Sequence, residues 1–113
     1  MAGQLTTHGL DTEAGTGAAG LRVSVRRIAP DASELHETAL DERGRAVLLN
    51  ELAVGQYELT FHVAEYHRAR GIELTQPPFL DQVLIRFGVA DPVSHYHVPL
   101  LLTRYSYSTY RSG

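Results

Sequence analysis

Cysteine, lysine and tryptophan are all missing from this 113-residue sequence, and its one methionine is the first residue. Without cysteine there are no disulfides, thiol nucleophiles, iron–sulfur clusters or cysteine zinc sites. Without lysine there is no Schiff-base chemistry and no P-loop lysine. No apolar run is long enough to span a bilayer. The opening "MAGQLTTHGLD" has neither the basic nor the apolar stretch of a secretory signal, and the C-terminus is not a peroxisomal Ser-Lys-Leu. The expectation is therefore a cytoplasmic protein. A formal charge of −3 gives no pull toward nucleic acid or an anionic membrane.

What remains for chemistry is six histidines, ten arginines, six tyrosines, the carboxylates and some hydroxyls. An apolar content of 43% with 20% charged residues is ordinary for a folded globular protein. The length suits one domain spanning residues 1–113, with a core burying roughly 65% of the extended chain's surface. A chain this short makes a sizeable pocket between subunits rather than inside one.

Alternation dominates the rest of the chain. "LTTHGLD" (5–11) reads as a first strand, and "TEAGTGAAG" (12–20) as a loop. In "LRVSVRRI" (21–28), Leu21, Val23 and Val25 share one face. "ELHETALDERGRAVLL" (34–49) reads as two strands around an Asp-Glu-Arg-Gly turn at 41–44. "YELTFHV" (57–63) places Tyr57, Leu59, Phe61 and Val63 inward, and Glu58, Thr60 and His62 outward. "AEYHRARG" breaks the alternation, which predicts a short helix over 64–70 with Gly71 just past its end. "DQVLIRFGV" (81–89) is another strand. A strand over 95–102, a tight turn at Thr103-Arg104 and a last strand to about 111 finish the chain. Some eight short strands and one short helix predict an all-β, two-sheet sandwich.

Along an extended 95–102 strand, His95, His97, Pro99 and Leu101 share one face, and Tyr96, Val98, Leu100 and Leu102 the other. The second set is the better core face, so the histidines point outward. Thr6, His8 and Leu10 share a face of the first strand. If these two strands lie in one sheet, His8 and His97 converge on its outer surface. The alternative is that each histidine is simply a surface residue, the only reading His36, His62 and His67 support. A His-x-His pair on a strand is a plausible metal pair, but no carboxylate shares its face, so no metal or other cofactor is expected. No Gly-x-Ser-x-Gly elbow places a serine nucleophile, and "GTGAAG" lacks the strand-to-helix setting of a dinucleotide loop.

"LTTHGLD", "DERGR", "IRFGVADPVSHYHVPLLL" and "YSYSTYR" together resemble the transthyretin-related family of 5-hydroxyisourate hydrolases, from about Leu5 to Arg111 in order and spacing. The resemblance implies a transthyretin-like sandwich of two four-stranded sheets, assembled as a homotetramer with its site between subunits. It implies hydrolysis of 5-hydroxyisourate, a small planar substrate, with His8, Arg45 and His97 as the catalytic residues. Tyr110, Arg111 and Ser112 match the substrate-binding tail, except that the family ends Gly-Ser where this chain has Ser112-Gly113. Gly9 stands where the family has a branched aliphatic residue, which is expected to loosen the strand beside His8. The residue types suit the reaction: neutral histidine can deprotonate water, and arginine stabilises developing negative charge. Two other readings compete. A ligand carrier of the same fold would lack the histidine pair and the Tyr-Arg tail, both kept here. An inactive relative is suggested by the reversed end.

Overall fold

The structure is a computed structural model that describes residues 3–113. Two sheets pack face to face. One has the order β4 (Ser33–Ala39), β3 (Arg22–Ala29), β6 (Gly55–Phe61), β7 (Val83–Val89), antiparallel throughout. The other is centred on β1 (Leu5–Asp11). One edge of β1 pairs antiparallel with β5 (Arg45–Leu49) and then with the two-residue β2 (Thr16–Gly17). Its other edge pairs in parallel with β8 (Tyr96–His97) and β9 (Leu100–Leu102), and β9 carries β10 (Tyr107–Thr109) outside it. The inner faces meet in a core that includes Leu5, Val23, Val25, Leu59, Phe61, Leu100 and Leu102, all at 1% exposure or less. Burying each such side chain contributes roughly 1.5–3 kcal/mol.

The alternation read from sequence places these residues correctly, with informative departures. The 12–20 segment is not all loop, because β2 continues the pairing of β1 beyond β5. The 95–102 strand is interrupted at Val98-Pro99. Pro99 has no N–H to give the ladder, and the buried Thr7 hydroxyl donates instead to the Val98 carbonyl at 2.7 Å. Parity survives the interruption: Tyr96, Val98, Leu100 and Leu102 are all buried. The last strand ends at Thr109 rather than near 111.

The helix α1 (Val63–Ala69) begins one residue earlier than expected, and Gly71 follows it at φ 77°, a conformation glycine adopts without strain. His67 on this helix is 2% exposed, so it is not a surface residue. Its Nε2 is buried and has no hydrogen-bond partner among the described residues, and burial pushes the imidazole pKa down despite the nearby Asp11 carboxylate. Gly9 does not loosen β1. Its N–H donates to the Gly44 carbonyl at 2.7 Å and its carbonyl accepts from Ala18 at 2.8 Å. A side chain there would run into Leu40, Ala18 and Leu21, which already fill the space.

Candidate active site

The Asp41–Gly44 turn sets one half of the site. Asp41 Oδ1 accepts from the Arg43 and Arg45 backbone N–H groups, each at 2.9 Å, and these bonds hold its carboxyl below the usual carboxylate range. Gly44 closes the turn at φ 80°, packed so tightly that a Cβ would meet the Gly9 carbonyl. The chain therefore enters β5 with Arg45 directly opposite His8. Residues opposite one another in an antiparallel pair project to the same face, so the guanidinium and the imidazole share the outer surface. His8 Nε2 lies 3.0 Å from the Arg43 carbonyl oxygen. A carbonyl only accepts, so His8 donates from Nε2, and its neutral form carries the lone pair on Nδ1.

The other half comes from β8, whose parallel register sets His97 beside Thr6. Thr6 Oγ1 lies 2.8 Å from His97 Nδ1 and 2.9 Å from His95 Nε2. His97 is half-buried, and its pKa is lowered, first by burial and then by the positive charges of His8, His95 and Arg45. It is neutral at neutral pH. Thr6, His8, Arg45, Val47 and His97 border an open concavity of about 430 Å³, in the size range of small-molecule sites. Among the described residues no group of three or more His, Cys, Asp or Glu side chains could hold a metal ion. Arg45 makes no salt bridge among them.

The fold thus brings His8, Arg45 and His97 together. Ser112 does not itself line the concavity, but its backbone exchanges both hydrogen bonds with His97, at 2.8 and 2.9 Å, which puts its side chain on the His97 side of the sheet. Tyr110 and Arg111 do not line this concavity within one chain. They border a separate one with Tyr96, Ile85 and Phe87. Arg111 stacks over the Tyr96 ring at 4.1 Å and donates to the His95 carbonyl at 3.2 Å. Sequence reading missed two participants. Asp41 was legible as the first residue of its turn, a position aspartate favours. The contact of Thr6 with two histidines was not, because it depends on a parallel pairing between residues 91 positions apart.

A sandwich of this topology, with imidazoles and an arginine on an outer sheet face, is a transthyretin-like protein. The chain belongs to the HIUase/Transthyretin family, whose profile matches residues 5–112. It is 48% identical to "5-hydroxyisourate hydrolase 2" of Rhizobium meliloti (strain 1021), over 98% of this chain and 97% of that protein. Among solved structures it resembles Klebsiella pneumoniae 5-hydroxyisourate hydrolase, with TM-score 0.82 and 29% identity over 98% of this chain and 99% of that one. It also resembles an (S)-allantoin synthase, with TM-score 0.92 and 39% identity over 99% of this chain. In that case it spans only 44% of the other chain.

Proposed function

We propose that the protein hydrolyses 5-hydroxyisourate in urate degradation, opening the cyclic amide of its six-membered ring to 2-oxo-4-hydroxy-4-carboxy-5-ureidoimidazoline. The observation that carries this reading is the convergence of His8, Arg45 and His97 on one concavity without a salt-bridged carboxylate. His97, neutral at working pH, takes a proton from water as the water attacks the ring carbonyl. Arg45 faces the oxygen on which negative charge grows. His8, its lone pair on Nδ1, assists proton transfer. Ser112 borders the substrate through its pairing with His97, while Tyr110 and Arg111 shape the tail that holds that pairing. The reversed Ser112-Gly113 end does not favour an inactive protein, since Ser112 lies on the His97 side and a side chain at 113 would meet the His95 carbonyl.

The chain acts as one domain, residues 1–113, in a cytoplasmic homotetramer. The open edges of β7 and β10 support the assembly, because unpaired strands invite pairing with a second copy. Among the described residues no helix is long and apolar enough to cross a membrane. The test is the ultraviolet decay of enzymatically generated 5-hydroxyisourate. The protein should accelerate it well beyond the spontaneous rate; equal rates with and without protein refute the reading. Light scattering at micromolar concentration should give a tetramer, and a monomer would remove the interfacial site.

A further inference from the structure

A threonine hydroxyl has one proton to give and two lone pairs to offer. Thr6 Oγ1 sits between two imidazole nitrogens, His97 Nδ1 at 2.8 Å and His95 Nε2 at 2.9 Å. It can donate to only one of them, so at least one ring donates to it. Where its proton goes to one ring, the tautomer of the other is thereby fixed. If Thr6 donates to His95, His97 carries its proton on Nδ1 and exposes a bare Nε2. If Thr6 donates to His97, the pattern reverses and His97 Nε2 carries a proton. The positive charge of Arg45, which is felt at His97, is better met by the first arrangement, in which His97 offers a bare Nε2. The strand geometry holds this chain of groups in place. His95 and His97 are two residues apart and project to one side, while Tyr96 between them is anchored in the core beneath Arg111. His97 is half-buried, whereas His95 is exposed to solvent.

We infer that Thr6 is a positioning residue that makes His95, Thr6 and His97 one proton path, running from the site to solvent. The inference rests on the hydrolytic reading above. As water gives a proton to His97 Nε2, the Nδ1 proton of His97 passes to Thr6 Oγ1, and the Thr6 hydroxyl proton passes to His95 Nε2. The hydroxide attacks the ring carbonyl, and His95, now an imidazolium, releases its proton to solvent. His97 ends neutral with its proton on Nε2. As that proton is given to the departing ring nitrogen the relay runs back: Thr6 returns its proton to His97 Nδ1, His95 Nε2 gives one to Thr6, and solvent re-protonates His95 on Nδ1. The charged and titratable groups around His97 are His8 on β1, Asp41 in the turn before β5, Arg45 at the start of β5, and His95 just before β8. Asp41 is already engaged by two backbone N–H groups, which leaves Thr6 as the hydroxyl that sets the His97 tautomer.

Three variants and one spectrum test this. Thr6→Val removes the hydroxyl and keeps the shape; it should lower kcat about tenfold with KM changed less than about twofold, the low end of an acid–base contribution. Thr6→Ser should recover kcat to within about threefold of wild type. His95→Asn should lower kcat about tenfold, with added imidazole restoring it, as expected for a lost proton acceptor. In ¹⁵N NMR of the wild-type protein, His97 should carry its proton on Nδ1, and Thr6→Val should abolish that preference. The proposal is overturned if Thr6→Ser is as impaired as Thr6→Val, or if His95→Asn matches wild type. It is equally overturned if the His97 nitrogen shifts ignore Thr6→Val. If the wild-type protein itself fails to accelerate substrate decay, the hydrolytic reading falls, and the NMR result still decides whether Thr6 sets the tautomer.

Discussion

On the outer face of the β4–β3–β6–β7 sheet, Glu58 lies between Arg26 and Arg86, its partners on the two neighbouring strands, at 2.9 and 2.7 Å. Nearby, Arg22 is held by Glu37 and Glu65. On the outer face of the other sheet, Arg45 stands opposite His8 and shares a concavity with His97, and among the described residues no carboxylate forms a salt bridge with it. Both faces take their polar residues from the alternate positions of strands whose other side fills the core. The first face uses charge to satisfy charge, which closes the surface. The second leaves positive charge and a lowered-pKa imidazole facing an open concavity, the arrangement expected of a candidate functional site rather than of a closed surface.

The largest effects should come from removing the unpaired groups. His97→Asn or Arg45→Gln should each lower turnover about 10²-fold or more. Thermal stability should hardly change, because neither side chain takes part in the core or in a salt bridge. Matched kinetic and melting measurements check both halves of that statement. Next in size is the tail: Arg111→Ala should cost about tenfold in kcat/KM by freeing the His95 carbonyl and the Tyr96 ring, and Ser112→Ala less than about threefold. If Ser112→Ala is the more damaging change, the serine hydroxyl rather than its backbone serves the substrate.

On the paired face the consequences should be structural. Glu58→Gln should lower stability by about 1–2 kcal/mol and leave turnover within about twofold. The figure is kept below that for a fully buried pair because both arginines reach solvent. Glu58 has its pKa lowered, foremost by the hydrogen bond from Arg86. The folded state therefore holds fewer protons than the unfolded one near pH 4. The stabilisation is full above the ordinary glutamate value of about 4.3 and is lost as pH falls through the lower folded pKa. His67 has the same sign at higher pH: its folded pKa is lowered, so stability falls as pH drops below about 6.5. His67→Phe should remove that acid sensitivity, while giving up the hydrogen bond between the imidazole and the Thr103 backbone. Denaturant titrations at several pH values separate the two contributions. The smallest effect should be from chelators, which should leave the rate unchanged.

How much of this was legible in the sequence differs between the two faces. Period-two alternation gave the inward residues of β3 and β6, because an apolar core needs only parity. Parity also gave Glu58 as outward, but not that two cross-strand arginines would cover it to 3% side-chain exposure. His67 was misread because helix burial depends on what packs above it, here the Thr103–Arg104 turn. The interruption at Pro99 was readable from proline's missing N–H, yet the strand was drawn through it. The convergence of His8 and His97 was stated only conditionally, since parallel neighbours distant in sequence leave no local signal. The pairing of Ser112 with His97 has the same non-local origin.

The central claim is that the unpaired outer face is a hydrolytic site whose base is His97. The direct measurement is the protein-dependent rate of 5-hydroxyisourate decay from about pH 5 to 8, for wild type and His97→Asn, the range in which imidazoles titrate. A neutral histidine base with a lowered pKa predicts a rate that is level near neutrality and falls with a midpoint below about 6.5, and little rate above background in the variant. A flat wild-type profile, or a variant as fast as wild type, would contradict it.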